Sequence, residues 1–153
     1  SRFEPDSSMT RAMAVMTLYR LAGAPPVSGS PYADVAADAW YAAAAAWGTE
    51  AAVTSGYGNG KFGPGDGITR EQFAVMLYRY AVGAGIASGP VVTPELPVCN
   101  DAGDISEYAL PAVKWACSAG LLGTDSSLYL RPGSILSRAE AAALLTRLYR
   151  EIE

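Results

Sequence analysis

The chain has 153 residues, a net charge of −4 and a pI near 4.8, with lysine only at Lys61 and Lys114. That length suits one compact core, and so acidic a chain lacks the basic patches by which nucleic-acid backbones and anionic membranes are bound. Histidine is absent, which removes the usual general base and the commonest transition-metal ligand, and no apolar run approaches the ~18 residues that cross a bilayer.

The first predicted element is "MTRAMAVMTLYRL", Met9 to Leu21, a helix opened by Thr10 as cap. After the short linker "GAPPVSGSP" a second helix is expected from about Ala39, with Trp40 and Trp47 seven residues apart on one face. "GYGNGKF" then carries an Asn-Gly turn between two aromatics, a very short hairpin or Ω-like loop. The third helix is "ITREQFAVMLYRY", Ile68 to Tyr80, where Phe73, Met76, Leu77 and Tyr80 make an apolar face at i, i+3, i+4 and i+7. A longer linker, "GAGIASGPVVTPELP", leads to a helix from about Ser106 that carries Tyr108 and Trp115 and tolerates Pro111 near its start. The last helix, within "LSRAEAAALLTRL", buries Leu144, Leu145 and Leu148.

These elements repeat. The hydroxyl-arginine pairs Thr10-Arg11, Thr69-Arg70 and Ser137-Arg138 each follow a proline by five residues: Pro5, Pro64 and Pro132. Two before each proline stands Phe3, Phe62 or Leu130, and nine after each arginine comes another, Arg20, Arg79 or Arg147. The upstream half repeats twice, pairing Asp34 with Asp101, Trp47 with Trp115 and Gly56 with Gly123. The organisation is half a copy over 1–23 and full copies over 31–84 and 98–150, together one domain. No signal peptide is present, and the chain begins inside the pattern, as a fragment or mature product would.

The pairs Thr69–Gln72 and Ser137–Glu140 satisfy the capping box, while Thr10 keeps the cap and has Met13 in place of its reciprocal partner. The arginine after each cap is harder to explain. At the first helical position it faces the positive end of the macrodipole, which costs tenths of a kcal/mol up to ~1. Three such arginines point to a carboxylate within the fold or to an anionic ligand held by the guanidinium fork and free helix N–H groups. Arg20, Arg79 and Arg147, placed near helix ends, suit the dipole and need no ligand. Trp47 and Trp115 read as core, Trp40 equally as core or as a flat face for a sugar ring, and Gly56 and Gly123 as left-handed helix ends.

The glycine-rich loop lacks the phosphate-loop pattern, Asp66 and Asn59 lack calcium-loop spacing, and no nucleophile has a histidine partner. The expectation is therefore no enzyme, no cofactor and no metal.

The segments "YADVAADAWYAAAAAW", "SGYGNGKFGPGDGITREQFAVML" and "DAGDISEYALPAVKWACSAGLLG…LRPGSILSRAEAAALLTRL" resemble the S-layer homology (SLH) repeat of bacterial surface proteins. The resemblance implies an all-α domain of three helix-loop-helix repeats in a pseudo-threefold bundle, its first repeat lacking the N-terminal half. It implies inter-repeat grooves for an anionic, often pyruvylated, secondary cell-wall polysaccharide, and a larger extracellular parent protein held at the bacterial cell surface. The ligand-binding residues it implies are Arg11, Arg70 and Arg138 with Asp38, Trp40, Gly56, Tyr57 and Lys61. Cys99 stands where the family's opening aromatic falls, so Cys99 and Cys117 form either a local disulfide or two thiols. A second reading keeps the scaffold but makes it a protein–protein assembly module, which binds another polypeptide through exposed prongs or through the incomplete first repeat, where apolar surface around Val15 and Leu18 would be open.

Overall fold

The computed structural model describes residues 4–87 and 95–152, so Phe3 and much of the second linker lie outside the described residues. Five α-helices carry the fold: α1 (Arg11–Leu21), α2 (Ala42–Glu50), α3 (Arg70–Gly83), α4 (Leu110–Ser118) and α5 (Arg138–Ile152), with 3-10 turns at Ala102–Asp104 and Glu107–Ala109. No strand occurs among the described residues. No helix among them is long and apolar enough to cross a membrane. The helices expected from Ala39 and Ser106 start later, at Ala42 and Leu110, and Pro111 sits in the first turn of α4, where its missing N–H has no intrahelical role.

The residues just before α1, α3 and α5 hold the fold together. The Met9 N–H donates to the Leu136 carbonyl (2.8 Å), Leu136 to Ile68 (3.0 Å) and Ile68 back to Met9 (2.8 Å), closing a ring of three hydrogen bonds. All three side chains are buried, so the ring's polar groups are shielded and must pair with one another. The repeated prolines act one step further out. Arg11 and Ala12 N–H donate to Asp66 and Pro64, Arg70 and Glu71 to Ser134 and Pro132, and Arg138 and Ala139 to Ser7 and Pro5. The third N–H of each helix goes to its cap, as from Met13 to Thr10 Oγ1 (3.1 Å), Gln72 to Thr69 Oγ1 (3.2 Å) and Glu140 to Ser137 Oγ (3.1 Å). The free helix N–H groups expected to greet a ligand are thus taken by the neighbouring loop and the cap. Any anion must be met by side chains.

Two of the hydroxyl-arginine helices pack against the helix that follows them, α1 on α2 and α3 on α4. Gly48 makes the first of these contacts possible, because a Cβ there would stand 2.8 Å from Val15 Cγ2. Tyr19 meets Trp47 at 5.7 Å between centroids and Tyr78 meets Trp115 at 5.4 Å. Phe73, Met76 and Leu77 are buried as their spacing predicts, as are Leu144 and Leu148, while Tyr80 and Leu145 are half-buried. Val15 and Leu18, expected at the surface of an incomplete repeat, are both 0% exposed. Helix α2 packs on α1 at Val15, so the apolar gap expected around these two residues is absent.

The loop after each first helix is locked by a carboxylate. Asp34 accepts the N–H groups of Phe62 and Gly63, both at 2.8 Å, and Asp101 accepts those of Leu130 (2.9 Å) and Arg131 (2.8 Å). The helix ends differ from expectation. The left-handed residues behind α2 and α4 are Ala52 (φ 58°) and Gly120 (φ 75°), not Gly56 and Gly123. Gly56 is also left-handed (φ 68°), in the loop rather than at the helix end, and a Cβ there would lie 2.6 Å from the Tyr32 ring and 2.7 Å from the Lys61 carbonyl. An alanine in the left-handed region costs about 1–2 kcal/mol that glycine avoids, partly offset by glycine's unfolded-state entropy. Ala52→Gly is therefore expected to stabilise the fold by about 0.5–1 kcal/mol in urea melts.

Cys99 and Cys117 are free thiols. Burial pushes the Cys117 thiol up from its ordinary value, the nearby Cys99 adds to this, and Arg70 opposes it. The same two places in the earlier copy hold Tyr32 and Thr49, whose hydroxyls hydrogen-bond at 2.7 Å.

Candidate functional site

Three cavities each combine an arginine from the start of one helix with the flank of another hydroxyl-arginine helix. Arg11 lines a cavity of about 380 Å³ with Gly56, Tyr57, Gln72, Arg79 and Tyr108. Arg70 lines one of about 300 Å³ with Gly123, Glu140 and Arg147. Arg138 lines one of about 280 Å³ with Met13, Met16 and Arg20. Each of these three cavities therefore holds two arginines. The second of each pair, Arg79, Arg147 or Arg20, was assigned by sequence to helix-end electrostatics. Its place in a cavity comes from the nine-residue spacing, which sets it on the helix flank facing the neighbouring unit. Only Arg20 is in a last turn, since α3 runs on to Gly83 and α5 to Ile152.

The Arg11 cavity has the most open chemistry. Arg11 is only 4% exposed, its Nε donates to the Phe62 carbonyl at 2.8 Å, and its Cζ lies 4.4 Å from the Tyr57 ring centroid and 5.0 Å from that of Phe62. The aromatic faces hold the cation in place. Burial pushes its guanidinium down from the ordinary value while Tyr57, Tyr108 and Asp66 push it back, and arginine stays a cation at physiological pH. Among the described residues nothing accepts from its terminal nitrogens. Arg79 is exposed, and no acidic residue lines the cavity. Tyr57 is held over Arg11 by its hydroxyl, which donates to Asp66 Oδ2 at 2.7 Å. Burial and that bond raise the phenol above its ordinary value, so it remains a neutral donor.

Of the residues singled out from sequence, Arg11, Gly56 and Tyr57 come together here. Arg70 and Arg138 occupy their own cavities, and Asp38, Trp40 and Lys61 line none of the three. Trp40 precedes α2, 60% exposed, with its ring edge-on to Tyr41 at 5.0 Å. The first-helix aromatic that reaches the Arg11 cavity is Tyr108, seven before Trp115 as Trp40 is seven before Trp47. Asp38 is exposed and makes no hydrogen bond among the described residues, whereas Asp34 and Asp101 each accept backbone N–H groups.

The family model described as the S-layer homology domain matches residues 31–74 and 100–142. The chain belongs to the S-layer homology domain family. Over 95% of its length this SLH domain is 29% identical to a cellulosome-anchoring protein of Acetivibrio thermocellus, covering 33% of that protein. It is 26% identical to cell surface glycoprotein 1 of the same organism, covering 6% of it, and 32% identical to an endoglucanase of a Bacillus species, covering 15% of it. The chain thus spans a third or less of each of these relatives, and the endoglucanase's name carries no catalysis to this SLH domain.

Proposed function

We propose that this SLH domain is a non-catalytic anchor that holds a larger surface protein to a bacterial cell wall by binding an anionic, pyruvate-bearing secondary cell-wall polysaccharide. The observation that carries the reading is the Arg11 cavity, where two arginines from different units converge and no acidic residue is among the lining. A ketal-linked pyruvate offers the planar carboxylate that a guanidinium fork fits, and Tyr57 and Tyr108 offer aromatic surface to the sugar that bears it. The names of the anchoring and cell-surface relatives agree with that role. The burial of Val15 and Leu18 takes away the apolar gap as a docking site for a partner polypeptide.

The decisive measurement is co-sedimentation with purified cell-wall polymer before and after mild acid hydrolysis of its ketals. Binding should fall at least tenfold when the carboxylate is removed and should weaken with salt. Equal retention of the domain by both polymers would defeat the carboxylate reading.

A further inference from the structure

The Tyr57 ring over Arg11 is placed by two residues that do not line the cavity. Its hydroxyl is tied to Asp66, and its ring crosses the space where residue 63 would carry a side chain. A Cβ on Gly63 would overlap Tyr57 Cε2 and stand 2.6 Å from the Tyr57 hydroxyl and 2.7 Å from Asp66 Oδ2. Every atom it would meet thus belongs to the phenol or its tether. Asp66 also touches Arg11 through its backbone, its carbonyl accepting the Arg11 N–H at 2.9 Å. One residue therefore fixes both the start of the arginine's helix and the ring over its guanidinium.

The third unit shows the same place with a side chain in it. The Tyr57 N–H donates to the Lys61 carbonyl at 2.9 Å as that of Asp125 does to Tyr129 at 3.0 Å. Asp34 and Asp101 hold matching turns beyond them, so Tyr57 corresponds to Asp125 and Gly63 to Arg131. Arg131 has the same left-handed backbone, φ 54° against 71°, so the turn itself admits a side chain. There Arg131 Nε donates to Asp125 Oδ2 at 2.7 Å, and no aromatic residue among the described ones lines the Arg70 cavity.

We infer that Gly63 and Asp66 are positioning residues for the anionic ligand of the Arg11 cavity: Gly63 leaves the room in which Tyr57 lies over the guanidinium, and Asp66 keeps it there. The inference rests on the proposed reading of that cavity and adds to it the two residues that give the site its aromatic wall. With the Tyr57 and Phe62 rings against it, the Arg11 guanidinium is fixed before a ligand arrives, and less side-chain freedom is lost on binding. Charge and position make opposite demands on Asp66. As an anion near Arg11 it would oppose a carboxylate ligand, so its removal would tighten binding if charge alone mattered. As the tether of Tyr57 its removal weakens binding.

The test is calorimetric titration at low salt with a synthetic methyl glycoside carrying a pyruvate ketal, run below the melting midpoint of every variant. Gly63→Ala and Asp66→Ala should each weaken the site that Arg11→Ala abolishes by roughly tenfold, the effect of leaving one aromatic side chain to be ordered on binding. Asp66→Asn keeps an acceptor for the Tyr57 hydroxyl and should restore binding to within about twofold of the parent. In a Tyr57→Ala background neither Gly63→Ala nor Asp66→Ala should weaken binding further, since both act through that ring. Unchanged or tighter binding in Asp66→Ala would overturn the inference while leaving the anchoring reading intact. So would a loss from Gly63→Ala that is as large without Tyr57 as with it. A parent with no site sensitive to Arg11→Ala would bring down the anchoring reading and this inference with it.

Discussion

Arg11→Ala is expected to weaken binding of the anionic polymer about a hundredfold. Truncating one partner of a buried charged pair commonly costs 2–5 kcal/mol, and the lower part of that range suffices. The same change should lower stability by about 1–2 kcal/mol, because the buried Phe62 carbonyl loses the Nε donor it has at 2.8 Å. Two effects from one substitution are separated by its partner in the cavity. Arg79 is exposed and makes no hydrogen bond among the described residues, so Arg79→Ala should leave the thermal midpoint within about a degree. Its loss of binding should still approach tenfold, since it supplies the second cation. A pulldown series at fixed salt, read beside thermal melts, gives both quantities. If Arg79→Ala bound as the parent does, the two-arginine description of the site would be wrong.

The position of Arg11 also shows how far the sequence could be read. The caps at Thr10, Thr69 and Ser137, the core faces of α3 and α5, and the awkward arginines behind the caps all follow from local rules, and all are where those rules put them. What each arginine meets is decided elsewhere in the chain. Arg11 lies on Phe62 and Tyr57, and Arg70 on Leu130 and Glu140, because the fold sets each helix start against the loop of the next unit. Both alternatives left open by sequence are therefore present at once, an ion pair at Arg70 and an uncommitted fork at Arg11. The same cyclic exchange hid the role of Arg79, whose spacing was visible but whose neighbours were not. It also misdirected the choice of aromatic. Trp40 and Tyr108 occupy matching places, yet Tyr108 is the one that meets an arginine from the first unit and a loop from the second. The glycines erred for a more local reason. Helix α2 stops at Glu50, so its left-handed residue falls at Ala52, a residue type that gives no sign of it in the sequence.

Asp101→Ala is expected to cost about 3 kcal/mol of stability and about 10 °C in melting temperature, the largest folding effect of any single polar change considered for this chain. The Asp101 side chain is buried, and both its oxygens accept backbone N–H groups, from Leu130 at 2.9 Å and Arg131 at 2.8 Å. Alanine would leave those amides without an acceptor. The damage should spread to the site, because Leu130 supplies the carbonyl that holds Arg70 Nε. Asn at this position keeps one acceptor oxygen and should recover roughly half the loss. Asp34 performs the same task in the earlier copy, and here the acid limb of stability reports it. Burial alone would raise the Asp34 carboxyl, but the N–H groups of Phe62 and Gly63 outweigh it and hold it below the ordinary carboxylate value. The stability it contributes is thus fully present above the unfolded carboxyl's ~3.9 and disappears as the pH falls through the lower folded value. Asp34→Asn should flatten that acid limb, which urea melts between neutral and strongly acidic pH will reveal. An unchanged limb would mean that Asp34 does not hold the Phe62–Gly63 turn, and Arg11 would then rest on a loop fixed by something else.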